Sequence, residues 1–206
     1  MVENPKIIPL APEHAAQVAD IHIQSIRTGF LSSLGPAFVS ELYRAIASCP
    51  VAFGYVAREK EAVLGFIACA TSVGSLYKRV LLRRGWRLVI PLTRFVLSPA
   101  TIRRILQTLL YPSRMKDDYP AAEVLSVAVR PEARGTGIAS ALMKAALEGL
   151  RQRGCTAVKV VVGTANEAAN RYYVKEGFRL AGTFESHGIP TNVYVQDLET
   201  PTGRAP

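Results

Sequence analysis

Val127-Ala128-Val129-Arg130-Pro131-Glu132-Ala133-Arg134-Gly135-Thr136-Gly137-Ile138-Ala139 is the stretch on which the reading of this chain turns. It begins as an apolar, β-branched run, bends through two glycines and enters a helical pattern. Glycine lets a backbone come close to an anion. The N–H groups of a first helical turn have no acceptor inside the helix, and the positive end of the helix dipole favours negative charge there. Arg134 adds a fixed positive charge beside them. The segment reads as strand, anion cradle and helix.

Two phosphate-binding patterns do not fit it. A P-loop requires GxxxxGK[ST], and no Lys-Ser/Thr pair follows these glycines. A dinucleotide fingerprint requires GxGxxG, but its sixth position is Ser140, and the next strand ends in Val160-Val161-Val162-Gly163 without a carboxylate for a ribose. An ordinary glycine turn is the plain alternative.

Outward from this core, residues 123–129 read as a strand and 135–153 as a helix with Ile138, Leu142, Ala145 and Leu150 inward, ended by Gly154. Residues 157–162 form a buried strand, 166–176 a helix capped by Gly177, and 179–185 with 191–197 a hairpin around Gly188-Ile189-Pro190. Upstream, 6–10 are a first strand, and Pro12 opens a helix carrying Val18, Ile21 and Ile26. Residues 28–33 break as a loop; Gly35-Pro36 then starts a second helix with Phe38, Leu42 and Ile46 on one face, ended by Pro50. Runs 51–57 and 62–70 pair as a hairpin across Arg58-Glu59-Lys60-Glu61. Gly85, Pro91, Pro99 and Pro112 cut the basic stretch 73–120 into short helices or turns, and the tail 200–206 frays. With no repeat and no linker, the expectation is one domain over 1–206.

The second informative segment is Asn166-Glu167-Ala168-Ala169-Asn170-Arg171-Tyr172-Tyr173-Val174-Lys175-Glu176-Gly177-Phe178. Taken with the first, it resembles the GNAT superfamily of acetyl-CoA-dependent N-acetyltransferases. The family's pyrophosphate motif, Arg/Gln-x-x-Gly-x-Gly/Ala, is matched by Arg134, Gly137 and Ala139. Its later signature is matched by Asn166, Ala169, Tyr172, Tyr173, Gly177 and Phe178. The likeness is strong over about residues 122–185, while the long stretch 73–120 departs from the short connection usual in the family.

The resemblance implies an α/β fold: a mixed, mostly antiparallel sheet of about seven strands, helices on both faces, splayed strands four and five, and a helical insertion before strand four. It implies acetyl-CoA as cosubstrate, its pyrophosphate on Arg134, Gly135, Thr136, Gly137, Ile138 and Ala139, and its pantetheine arm along Val127, Ala128 and Val129 and near Asn166. The implied reaction is direct transfer of acetyl to the primary amine of a small molecule within a ternary complex, with a strand-four N–H holding the developing oxyanion. Tyr173 stands where the family places its general acid, whereas Tyr172 reads as core. Glu123, His187 and, more weakly, His22 are candidate bases, with bulk water as the alternative. Protein N-terminal or lysine acylation and a non-catalytic acyl-CoA-binding module are the rival functions, and a homodimer is compatible with either.

Composition narrows the classes. The chain has 206 residues, 49% apolar and 20% charged, which suits a folded core. Its longest uncharged stretch, 62–77, is shorter and more polar than a membrane-spanning helix, and the N-terminus lacks a secretory pattern, so a cytoplasmic protein is expected. Cys49, Cys69 and Cys155 are odd in number and widely spaced, and His14, His22 and His187 show no metal-ligand spacing, so neither disulfide nor metal is expected. Of the net charge of +9, eight units fall in 73–120, where ten basic residues face Asp117 and Asp118. That stretch reads as a solvated cap, as an attractor of coenzyme A or an anionic acceptor, or as a lipid or nucleic-acid contact; no nucleic-acid motif accompanies it.

Overall fold

The structure, a computed structural model, describes residues 5–26, 30–80, 82, 119–186 and 188–198. Strand β1 (Lys6–Pro9) passes through a 3-10 turn (Pro12–His14) into α1 (Ala15–Ser25), and a short α2 (Phe30–Ser33) precedes α3 (Gly35–Ala47). The hairpin of β2 (Ala52–Glu59) and β3 (Ala62–Ala70) is followed by a helix, α4, over 73–80. Next come β4 (Glu123–Val129), a 3-10 turn (Pro131–Ala133), α5 (Ile138–Arg151), β5 (Ala157–Gly163), α6 (Glu167–Lys175), β6 (Arg179–Ser186) and β7 (Ile189–Asp197).

The seven strands form one sheet in the order β1-β2-β3-β4-β5-β7-β6, antiparallel throughout except for β4 and β5. Side chains alternate between its faces, as strand geometry requires. On β3, Phe66, Ala68 and Ala70 join a cluster with Val18 and Ile21 of α1, Phe38 and Tyr43 of α3, and Leu76 of α4. Ile67 and Cys69 point the other way, into a cluster with Ile138, Leu142 and Leu150 of α5 and Tyr173 of α6. Helices thus cover both faces, as expected. Gly149 lies mid-helix because α5 crosses β2 closely there: a Cβ would come within 2.7 Å of the Phe53 ring. Among the described residues, no helix is long and apolar enough to cross a membrane.

β4 and β5 pair only at Glu123↔Lys159 and Val124↔Val160. From Leu125 onward they part, which is the splay that the family resemblance implies. A register shift in the β3–β4 ladder between Ala68 and Cys69 makes Leu125 an extra residue on β4. Such a bulge bends a strand and re-aims its side chains.

Local differences from the sequence reading have physical causes. Residues 30–33, expected as loop, form a helical turn in which Ser32 Oγ donates to Ile26 O at 2.5 Å and Leu31 packs on the first cluster. Helix α5 starts at Ile138 rather than at Gly135, because Gly135 and Gly137 take φ of +79° and +85°, outside the helical range. Ala145 is only half-buried, and Ala146 is the alanine that turns fully inward. The closing hairpin is tighter than expected, with Glu185↔Pro190 and Ser186↔Ile189 already paired. Of the stretch 73–120, the helix over 73–80 and residues 82, 119 and 120 are described; 81 and 83–118, like His187 and the tail 200–206, lie outside the described residues.

Candidate functional site

The cradle lies where β4 leaves the sheet. Arg130 N–H donates to Leu64 O at 2.8 Å, fixing the last rung to β3. Antiparallel bonding alternates along a strand, so the backbone groups of Ala128 and Ser126 address β3 while those of Val127 and Val129 turn toward β5. No β5 residue pairs with them there. The turn is braced from within by Thr136 Oγ1, which donates to Ala133 O at 2.7 Å. Arg134 donates to Val129 O at 3.4 Å and to Ser25 Oγ at 3.5 Å, leaning across the end of β4.

The next six amides, Gly135 to Ser140, have no hydrogen-bond acceptor among the described residues; the first amide of this helix to find one is Ala141, bonded to Gly137 O at 3.0 Å. Residues Arg134 to Gly137 are exposed, and a Cβ on Gly135 or Gly137 would meet nothing within 4 Å. Exposed consecutive amides at the start of a 14-residue helix, beside an arginine, form an anion-binding concavity. The donor set fits a diphosphate.

α6 is fastened to this turn. Tyr172 Oη donates to Ala139 O at 2.9 Å, and Ser140 Oγ donates to Glu176 Oε1 at 2.5 Å. Tyr172, read from sequence as core, therefore also locks two helices together. Tyr173 faces inward and is 6% exposed, with its ring 5.7 Å from that of Phe178 and 6.3 Å from that of Tyr194. Among the described residues its hydroxyl makes no hydrogen bond. Burial, with smaller contributions from Cys69 and Glu123, pushes its phenol well above the usual range. Asn166 caps α6: its Oδ1 accepts from Ala169 N–H at 3.2 Å.

Asn170, which the sequence reading did not single out, is the hub of this corner. Its amide nitrogen donates to Asn166 O at 2.7 Å and to Gly163 O at 3.1 Å. Its Oδ1 accepts from Asn192 and Tyr194, each at 2.9 Å. One side chain thus ties the end of β5, the start of α6 and the middle of β7. An asparagine amid a family signature is the only sequence signal it carries.

At the foot of the splay, Glu123 meets Lys159 at 3.6 Å, both side chains at least nine-tenths buried. Lys159 Nζ also donates to Pro120 O at 2.5 Å. The candidate base is thus an ion-paired carboxylate, one register before the last β4–β5 pair, Val124↔Val160. Cys69, close enough to influence Tyr173, is itself buried, which pushes its thiol far above the ordinary range.

On the opposite face, His22 Nδ1 lies 2.7 Å from Tyr43 Oη, which lies 2.8 Å from Ser126 Oγ. His22 stacks near Phe66 at a centroid distance of 6.3 Å, and burial lowers its pKa from 6.5 to about 4. Tyr43 and Ser126 were not anticipated. Leu125 packs in the α1/α3 cluster and Ser126 reaches Tyr43 of that same cluster, so two consecutive β4 residues address one face, as the bulge permits. Among the described residues, no three His, Cys, Asp or Glu side chains gather as a metal site would need.

The family model described as Acetyltransferase (GNAT) family matches residues 23–178. A 61-residue stretch is 49% identical to the mycothiol acetyltransferase of Thermobispora bispora; it covers 30% of this chain and 21% of that protein, so the match spans about a fifth of the relative's length. Among solved structures, SsHAT superposes with a TM-score of 0.68 at 21% identity, covering 96% of this chain and 100% of that one. An N-acetyltransferase from Staphylococcus aureus Mu50 gives 0.61 at 18% identity, covering 96% and 100%. The ribosomal-protein-S18-alanine N-acetyltransferase from Escherichia coli gives 0.59 at 12%, covering 94% and 93%. At these identities the structural likeness is one of fold.

Proposed function

The chain belongs to the GNAT family of acetyltransferases, and from that premise we propose that it transfers the acetyl group of acetyl-CoA to the primary amine of a small molecule by direct attack in a ternary complex. The observation that carries this reading is the run of amides from Gly135 to Ser140, without an acceptor among the described residues, at the mouth of the β4–β5 splay. With Arg134 they would hold the diphosphate. Val127 and Val129 would pair with the pantetheine arm as an added strand does, and Asn166, its Oδ1 spent on the helix cap, would offer its amide nitrogen to the same arm.

Acetyl-CoA, when bound, supplies a thioester carbonyl open to nucleophiles. A β4 N–H facing the gap stabilises negative charge growing on that carbonyl oxygen, a donor of the kind worth about 3–4 kcal/mol. Tyr173 gives its proton to the departing thiolate. Burial that raises the phenol raises a thiolate in the same apolar surroundings too, so the transfer stays matched. The amine attacks as the free base and loses its proton to water at the cleft mouth. A carboxylate that must first leave a buried ion pair is a costly base, and in this reading Glu123 acts as counter-ion to Lys159.

A thiol-release assay with acetyl-CoA over amino sugars, polyamines, amino acids and short peptides tests the proposal. Turnover with a subset of these amines is expected. Acetyl-CoA binding without turnover on any of them would favour a non-catalytic binding module.

A further inference from the structure

The acetyl-transfer reading leaves one polar feature unused, the chain from His22 of α1 through Tyr43 of α3 to Ser126 of β4, with links of 2.7 and 2.8 Å. It crosses an apolar cluster, packed around Phe66. Carrying three hydrogen-bonding side chains into such surroundings is unfavourable unless each is bonded. Yet the far end is incomplete: His22 Nε2 is buried without a partner among the described residues. Packing alone does not account for the chain.

Its near end is different. Ser126 is half-buried and lies beyond the last β4–β5 pair, on the part of β4 that lines the gap. Its hydroxyl points to the α1/α3 face, whereas α5, which carries the amide cradle, packs on the other. The amide cradle and the Ser126 hydroxyl therefore lie toward opposite faces of the sheet, on either side of the gap. A hydroxyl with one bond to Tyr43 keeps at least one free lone pair, whichever way that bond's hydrogen points. A neutral primary amine has two N–H groups and one lone pair. Donating one N–H to a fixed oxygen turns the lone pair toward a carbonyl held across the gap, and orientation of this kind contributes substantially to rate. His22, neutral because burial disfavours its charged form, adds no positive charge behind that oxygen.

We infer that Ser126 orients the attacking amine, and that Tyr43 and His22 are positioning residues that hold its hydroxyl in place. The inference rests on the acetyl-transfer reading and adds to it the contact on the acceptor side.

The test compares Ser126→Thr, which keeps the hydroxyl, with Ser126→Val, which has the same shape without it. The probe is whichever of glucosamine, spermidine and L-alaninamide the unmodified enzyme acetylates fastest. Ser126→Val is expected to lower kcat/KM for that amine at least tenfold, with the acetyl-CoA Kd by calorimetry unchanged within twofold. Ser126→Thr should stay within threefold of the unmodified enzyme. Tyr43→Phe should lower the amine kcat/KM three- to fivefold, again sparing acetyl-CoA, and carries the test should the valine variant fail to fold. Equal activity of the threonine and valine variants, or parallel losses for amine and acetyl-CoA, would overturn the role of Ser126 alone. An unmodified enzyme that binds acetyl-CoA but acetylates none of the three amines would remove the acetyl-transfer reading, and this role with it.

Discussion

The two faces of the splay are built from different materials. On the α5/α6 face, the candidate binding groups are backbone amides, without an acceptor among the described residues from Gly135 to Ser140 and exposed from Gly135 to Gly137. Near the foot of the splay and on the α1/α3 face, they are side chains bonded to one another: Glu123 with Lys159, and His22 with Tyr43 and Ser126. In the proposed reading a backbone cradle would hold what any chain of that shape would hold, a diphosphate. Side-chain contacts brought together from distant elements can be tuned to one acceptor. A fold that keeps the first and varies the second can serve many amines with one acyl donor.

The sharpest way to separate the two is to break the ion pair. Glu123→Leu leaves Lys159 charged and buried, and should lower unfolding free energy in urea by about 3–5 kcal/mol. Adding Lys159→Met should restore most of that loss, because an apolar pair of similar volume is close to neutral. Failure of the double variant to recover would mean that the pair does more than neutralise itself.

The cradle is tested by Gly137→Val. A Cβ there meets no atom, so the fold itself is not crowded, but φ of +85° is strained for a branched residue. Acetyl-CoA affinity by calorimetry is expected to fall about fiftyfold as the amides turn away, worth about 2 kcal/mol.

Acid should single out the side-chain face. His22 has a folded pKa of about 4 against 6.5 when free, so between these values the unfolded state binds more protons. Stability therefore falls as pH drops through this window, by about 1.5 kcal/mol between pH 6.5 and 5 for this group. His22→Gln should flatten that part of the profile. Tyr173→Phe touches the point where the faces meet: turnover should fall at least tenfold while the acetyl-CoA Kd stays within twofold. Unchanged turnover would remove the phenol from the acid role.

What the sequence made legible follows the same division. Glycines with positive φ, a helix start and an arginine are local features, so the cradle between Arg134 and Ala139 could be read from contiguous residues. The order of strands and helices followed from periodicity, and the parting of β4 and β5 from the family resemblance. Ser126 and Tyr43 left no local trace, because 83 positions separate them and a bulge at Leu125 decides which face Ser126 takes. Asn170 was hidden for a related reason: its partners come from β5, α6 and β7. The ion pair of Glu123 was likewise invisible, since a carboxylate opening a strand looks solvent-exposed until Lys159 arrives from the neighbouring strand.

The central claim is that the amides following Arg134 hold the diphosphate of acetyl-CoA. Calorimetry of the unmodified protein with acetyl-CoA and with S-acetylpantetheine, which carries the same thioester without the diphosphate, tests it most directly. Acetyl-CoA is expected to bind at least a hundredfold more tightly than the truncated thioester. Equal affinities, or no heat with acetyl-CoA, would contradict the account.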